Sequence, residues 1–177
     1  MAPFDAPDRW SVAPPEPDPF TPDHFKEILA NLASGVAIVS CWDGDEPRGL
    51  LVSSITGVSV DPPRFLFCVR KEAGCHDSLV GAGVCDIAIL ADHDREEARR
   101  FASSARTGER FDPTRWTLNP TRPPVYRGGL SRATCEIDQV LDATTHSILI
   151  VSARHAARTD AAVPLVAYAR GFHRIAP

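Results

Sequence analysis

Gly49-Leu50-Leu51-Val52-Ser53-Ser54-Ile55-Thr56-Gly57-Val58-Ser59-Val60-Asp61-Pro62-Pro63 is the stretch on which the reading of this chain turns. A run of apolar, partly β-branched residues ends in paired serines. An irregular bend follows, and a second hydroxyl-bearing segment runs on to a double proline. Apolar runs closed by Ser, Asp and Pro are strands closed by turns. Small residues at such a bend let backbone N–H groups and hydroxyls approach the edge of a flat ligand. From residue types alone, a serine-rich edge strand with a turn is the better explanation of the stretch.

Outward from it, the flanks repeat the strand pattern. Residues 36–41 are rich in β-branched residues and stop at Asp43-Gly44-Asp45. Residues 65–69 and 84–90 read as further strands, as do 147–153 and 165–168. Ala133, Cys135 and Ile137 alternate with Thr134, Glu136 and Asp138, the signature of a half-buried strand. Helices are fewer. Thr21 before Pro22 is an N-cap with proline at the first helical position, and Phe25, Ile28, Leu29 and Leu32 recur at helical spacing over 21–33. A short helix is expected at 76–80. Another is capped by Asp92 and runs through Phe101, with Glu96 and Glu97 ahead of Arg99 and Arg100 as the macrodipole prefers. Some six or seven strands with helices interspersed predict a mainly β fold with helices, an antiparallel barrel.

The 177 residues make room for one ordinary domain. It is assigned to 21–177, behind a proline-rich N-terminal arm at 1–20. That arm carries Pro3, Pro7, Pro14, Pro15, Pro17 and Pro19, which block helix and sheet ladders. It reads either as an extended tail or as an arm wrapped on a second subunit, anchored by Trp10 and Phe20.

Nineteen cations against 23 acids leave a net charge of -4, which argues against nucleic-acid binding and against a polybasic membrane contact. The longest apolar runs, 87–91 and 148–151, are far too short to span a bilayer. Five cysteines, Cys41, Cys68, Cys75, Cys85 and Cys135, are an odd number set mostly in apolar runs, so they read as reduced core thiols of a cytoplasmic protein. Familiar chemistry is absent from the motifs. Gly57-Val58-Ser59-Val60-Asp61 lacks the last glycine of a nucleophile elbow, and no C-x-x-C or H-E-x-x-H supplies a metal site. Gly81-Ala82-Gly83 lacks the third glycine of a dinucleotide fingerprint. What remains is binding by strands, hydroxyls and loops. A lining of that kind suits a ring with carbonyls and nitrogens on one edge and methyls on the other, the outline of isoalloxazine.

The opening stretch resembles the signature of the flavin reductase family with the FMN-binding split-barrel fold, roughly G-x-T-x-S-S and then S-x-S-x-D-P-P. Further resemblances follow in order. Ala33-Ser34-Gly35-Val36-Ala37-Ile38-Val39 is similar to the family's first strand. Phe101-Ala102, Arg110-Phe111, Trp116 and Cys135-Glu136 match later positions, and Tyr168-x-Arg170-Gly171-Phe172 matches the closing strand. Three departures stand out: Leu51 replaces a threonine, Thr144-Thr145 replace Gly-Asp before His146, and Asp94 stands where glutamine is common.

The resemblance implies a Greek-key-like, antiparallel split β-barrel and an NAD(P)H:flavin oxidoreductase, the small component of a two-component monooxygenase. FAD accepted alongside FMN, NADH favoured over NADPH, and a homodimer are part of the same expectation. Backbone N–H groups of Val52, Ser53 and Ser54, and of Val58 and Ser59, are expected at the flavin ring beside Leu51. Cys75, His76 and Arg110 are assigned to the phosphate or ribityl region, and Phe111 to cofactor binding. His146 is assigned to the nicotinamide side as the catalytic candidate, with Tyr168, Arg170 and Phe172 walling that pocket. Two other readings fit the same residues: a non-catalytic flavin-binding split-barrel protein, or a structural subunit of an oxygenase.

Overall fold

Strand-forming runs that send alternate residues to opposite faces must cover both faces, and that requirement shapes this chain. A computed structural model describes residues 19–159 and 163–175. The arm assigned to 1–20 lies outside the described residues except for Pro19 and Phe20.

The main sheet has seven antiparallel strands: β2 (Ala37–Asp43), β3 (Glu46–Val52), β4 (Thr56–Ser59), β5 (Arg64–Arg70), β6 (Val84–Ile89), β9 (Ser131–Ala143) and β10 (His146–Arg158). Their order is β3-β2-β6-β9-β10-β5-β4. Inward residues from six of them converge on one cluster: Val39 and Cys41, Val52, Phe67 and Val69, Cys85 and Ile87, Cys135, Leu149 and Val151. Strands at opposite ends of a flat sheet cannot share one core, so the sheet curls round. Across the open side, Ser54 Oγ accepts the Cys68 N–H at 3.0 Å, tying the segment after β3 to β5. This is the antiparallel barrel the strand pattern predicts, in the split form that the family resemblance implies. Helix α2 (His76–Ala82) plugs one end with Leu79.

A second sheet of β1 (Ser34–Gly35), β11 (Leu165–Tyr168) and β12 (Gly171–Arg174) and a short ladder of β7 (Trp116–Thr117) with β8 (Val125–Tyr126) lie outside the barrel. An outer core forms where Ile38, Ala88 and Leu90 meet Ala98 and Phe101 of helix α3 (Arg95–Ala102), together with Trp116, Tyr126 and Leu165.

Four of the cysteines are buried and all five are free, as expected of core thiols. Burial pushes Cys41 and Cys135 up to about 12.

Two elements differ from the sequence reading. Asp92 does not cap α3; it opens a 3-10 turn, Asp92–Asp94, and pairs with Arg95 at 2.9 Å. The buried acid there is Asp94, which accepts from the N–H groups of Ala91 and Gly129 and from the Tyr126 hydroxyl. Helix α1 (Pro22–Ala30) has the predicted cap, Thr21 Oγ1 accepting the His24 N–H at 3.2 Å, but it ends earlier than Ala33. None of its residues is buried. Phe25, Ile28 and Leu29 form an apolar face that the described residues leave largely uncovered, apart from the Phe20 ring 5.9 Å from that of Phe25. The helix is moored at its C-terminus, where the Ala30 carbonyl accepts the Ala169 N–H at 2.7 Å.

On the outer face of β6, Asp86 is only 1% exposed. Its Oδ2 accepts from Thr134 Oγ1 at 2.9 Å and faces Arg132 Nη1 at 3.5 Å, while Oδ1 has no protein partner. Burial, outweighing Thr134 and Arg132, raises it from 3.8 to about 6. The folded state therefore holds this proton more tightly than the unfolded chain does. The contribution of Asp86 to stability is greatest below 3.8 and falls as pH rises to about 6, by up to about 3 kcal/mol. Asp86→Asn is expected to remove that slope from the urea-unfolding free energy and to raise the melting temperature at pH above the transition. An identical pH profile in the variant would show that Asp86 ionises as it does in water.

Candidate functional site

A cleft of about 1030 Å³ opens where four separate parts of the chain meet. Strand β3 supplies Gly49, Leu50 and Leu51, and the end of β5 with the turn after it supplies Arg70, Gly74 and Cys75. Helix α3 adds Phe101 and Ala102. Arg110 and Phe111 come from the segment beyond the 3-10 stretch Ser104–Glu109.

The floor is aromatic because β3 carries no side chain at Gly49. A Cβ there would stand 3.2 Å from Phe111 Cζ and 3.3 Å from Phe101 Cε1. The two rings meet edge-on at 5.2 Å, and Phe111 also packs on Trp116 at 4.7 Å. Phe111 is held at φ 58°, a left-handed conformation that costs a bulky residue about 1–2 kcal/mol. The packing of its ring between Phe101 and Trp116 offsets that cost.

Arg110 fixes the adjoining wall. Its Nε donates to the Arg100 carbonyl at 3.1 Å and its Nη2 to those of Ser103 and Phe101, at 2.9 and 3.3 Å. Its Nη1 donates to Gly49 at 3.3 Å. One guanidinium thus closes the C-terminus of α3 and joins it to β3. Its carbon lies 5.1 Å from the Phe101 ring centroid. Most of its donors are engaged with backbone, so what it offers the cleft is chiefly positive charge. Burial lowers its pKa. The Cys75 thiol, buried at the same wall, is pushed up by desolvation and pulled back in part by Arg110. Arg48 and Arg70 add charge at the rim, where Arg70 pairs with Glu72 at 2.7 Å.

Of the residues expected from sequence, Leu51, Cys75, Arg110 and Phe111 line this cleft together. Leu51, standing where the family pattern has threonine, packs with its side chain against the outer core, as do Phe111 and Phe172. Val52 is buried in the ladder, paired with Ala37, and Ser53 and Ser54 follow in the exposed bend. Val58 and Ser59 lie on edge strand β4, where the Ser59 hydroxyl donates to the Pro62 carbonyl.

His146 begins β10 directly opposite Arg70 of the cleft, with Thr145 Oγ1 2.9 Å from its Nδ1. His76 does not reach the cleft lining; its ring lies between Asp77 at 2.7 Å and Ser147 at 2.9 Å. Tyr168 and Arg170 sit apart, at the β11–β12 turn, and do not line the cleft. Ala169 and Arg170 in that turn both have positive φ, 47° and 61°. Gly49, Arg48, Arg70 and Phe101 escaped the sequence-based assignment. The Arg48-Gly49 pair directly before the apolar run was the available signal for two of them. Among the described residues, no group of three or more His, Cys, Asp or Glu side chains is placed to hold a metal ion.

An apolar floor of Leu50, Leu51, Phe101 and Phe111 under a rim of guanidiniums fits a flat aromatic ring that carries a phosphoester tail. Comparison with known proteins points the same way. The chain is 29% identical over 171 residues to the NADH-dependent FAD reductase of Streptomyces globisporus, covering 94% of this chain and 93% of that one. It is 30% identical over 158 residues to the NADH:FMN oxidoreductase of Rhodococcus erythropolis, covering 86% and 81%. The solved NADH:FAD oxidoreductase SgcE6 of S. globisporus, in complex with NAD and FAD fragments, superposes with a TM-score of 0.80 at 28% identity over 88% of this chain and 93% of that chain. BorF, the flavin reductase component of a bacterial two-component tryptophan halogenase, gives 0.77 at 30% identity, covering 86% and 97%. The family described as "Flavin reductase like domain" matches residues 29–176. With the split barrel, the aromatic cleft and that match in agreement, the chain belongs to the flavin reductase-like family.

Proposed function

We infer that this chain is an NADH-dependent flavin reductase, which reduces free FAD or FMN and supplies the reduced flavin to a separate monooxygenase component. The observation that carries the reading is the cleft in which β3, α3 and Arg110 bring an aromatic floor under a cationic rim. Flavin is a substrate here, and bound beside NADH it takes up two electrons and a proton from the reduced nicotinamide. The chain's own part is placement. Phe101, Phe111 and Leu51 support the ring, and Arg48, Arg70 and Arg110 attract the phosphate-bearing tail. Backbone N–H groups of the bend at Ser53 and Ser54 face the charge that grows on the flavin's pyrimidine edge. His146, across the ladder from Arg70, orients the nicotinamide amide. Holding two rings face to face makes their encounter effectively intramolecular, worth up to about 7–11 kcal/mol in well-oriented cases.

The active form in this reading is a cytoplasmic homodimer. Support comes from the uncovered apolar face of α1 and from five unpaired thiols. No helix among the described residues is long and apolar enough to cross a membrane.

The test is the loss of NADH absorbance with FAD or FMN added. A steady decline that scales with flavin is expected. In His146→Ala, KM for NADH should rise about tenfold, the worth of ~1.4 kcal/mol, with flavin affinity unchanged. A flat trace from protein that still binds flavin would replace the reductase with a non-catalytic flavin binder.

A further inference from the structure

A second cavity, of about 730 Å³, shares no lining residue with the flavin cleft. Its roof is the loop through Asn119 and Pro124, which is latched to β2. Trp42 Nε1 donates to the carbonyls of Asn119 and Arg122, at 3.2 and 2.8 Å, and Ser40 Oγ donates to that of Pro124 at 2.6 Å. A roof fixed at three points is a built wall. Val84, Pro123, Val125 and Ala156 make the cavity apolar on several sides.

Three arginines, Arg122, Arg132 and Arg154, line this space, with the carboxylate of Glu136 beside Arg154. Arg154 gives one N–H to Glu136 at 2.6 Å, and Arg132 reaches Asp86 only at 3.5 Å. Both therefore keep most of their fork of donors for a ligand. Asp86 supplies the second, independent sign. It is 1% exposed, sits beneath Thr134 and Arg132 of the lining, and has one oxygen without a protein partner. A half-satisfied buried carboxylate is a poor device for stability, since an apolar side chain of similar volume would do as well or better. What it does provide is a fixed negative charge that draws the Arg132 side chain along the cavity floor.

We propose that this cavity binds an organic carboxylate with an apolar ring body, its carboxylate held between Arg132 and Arg154 and its rings against Val84, Pro123 and Ala156. Guanidinium forks match a carboxylate in two parallel hydrogen bonds, and cavities of roughly 300–1,000 Å³ are those that enclose small organic ligands. The site stands independently of the reductase reading, because it uses none of the cleft's residues.

Naphthoate is the probe, with naphthol as the same ring without the charge. Binding is followed by quenching of tryptophan fluorescence, since Trp42 lines the cavity, and by calorimetry on free and FAD-saturated protein. Saturable naphthoate binding is expected, undiminished by FAD. It should weaken about tenfold or more in Arg154→Ala and in Arg132→Ala, and by a similar factor for naphthol. The quench should disappear in Trp42→Phe. Arg154→Ala guards against misfolding as an explanation, because its ion pair with Glu136 is 54% and 51% exposed and carries little of the fold. The proposal is overturned by absence of saturable binding, by displacement with FAD, or by affinity in both arginine variants unchanged from that of the parent protein.

Discussion

Glu97→Ala is expected to be the most damaging single replacement in this chain, lowering stability by about 3–5 kcal/mol. The Glu97 side chain is 1% exposed, yet three partners converge on it. Oε1 accepts from Trp116 Nε1 at 2.9 Å, and Oε2 accepts from Arg100 Nη1 at 2.8 Å. Arg115 Nε stands 2.8 Å from Oε2 as a charge contact, with its N–H directed off the hydrogen-bond line. Alanine would leave a buried indole N–H and two guanidiniums facing each other without their anion. For a domain of this size the melting temperature should fall by roughly 10–15 °C. Glu97→Gln keeps an acceptor for Trp116 and should lose less. A thermal melt of both variants checks this, and equal, small losses would mean that water replaces the carboxylate at little cost.

Gly49→Ala should cost about 1–3 kcal/mol and should weaken flavin binding as well. The new Cβ would lie 2.6 Å from the Val39 carbonyl oxygen, a backbone atom held in the β2–β3 ladder beside the Ser40–Gly49 pair. It would also press on Phe101 and Phe111, whose rings form the cleft floor. A side chain could rotate away from such a contact, but a strand carbonyl cannot without giving up its hydrogen bond. Melting and flavin titration on the same preparation separate the two effects. If neither changes, β3 has room to retreat, and the close approach at Gly49 is not what sets the floor.

Much of the barrel can be read in the chain because its strands are β-branched runs bounded by Asp, Gly and Pro. Strand β11 falls at 165–168, as its residues predict, and β5 and β6 differ from prediction by a residue at their ends. The long hairpin is less legible. Strands β9 and β10 each run 13 residues, beyond the stretches where one face is apolar, because their outer halves are exposed and lack alternation. Buried acids are hidden for the opposite reason. Glu97 lies among Arg95, Glu96, Arg99 and Arg100, a sequence that reads as a solvated surface, and only the packing of Trp116 on α3 reveals that one of these side chains points inward.

The candidate site divides in the same way. Leu51 could be placed from its neighbours, and Arg110-Phe111 from the family pattern. Their meeting with Cys75 depends on how β3, β5 and α3 come together, which local sequence does not encode. The expectation for Arg110 is a phosphate contact; its hydrogen bonds to the carbonyls at the end of α3, which engage most of its donors, are not legible in the sequence. His76 likewise turned toward Ser147 rather than the cleft.

The left-handed pair Ala169 and Arg170 makes the β11–β12 turn an uneconomical one, since turns of that shape favour Asn and Gly. The Ala169 N–H is also the group that grips the end of α1. The hairpin bearing Tyr168 and Phe172, held to the outer core by Leu165 and Phe172, is thereby also linked to a helix that the described residues leave largely uncovered. One backbone hydrogen bond thus joins the exposed helix to a hairpin that is otherwise anchored in the outer core, which sets the helix C-terminus against a fixed support.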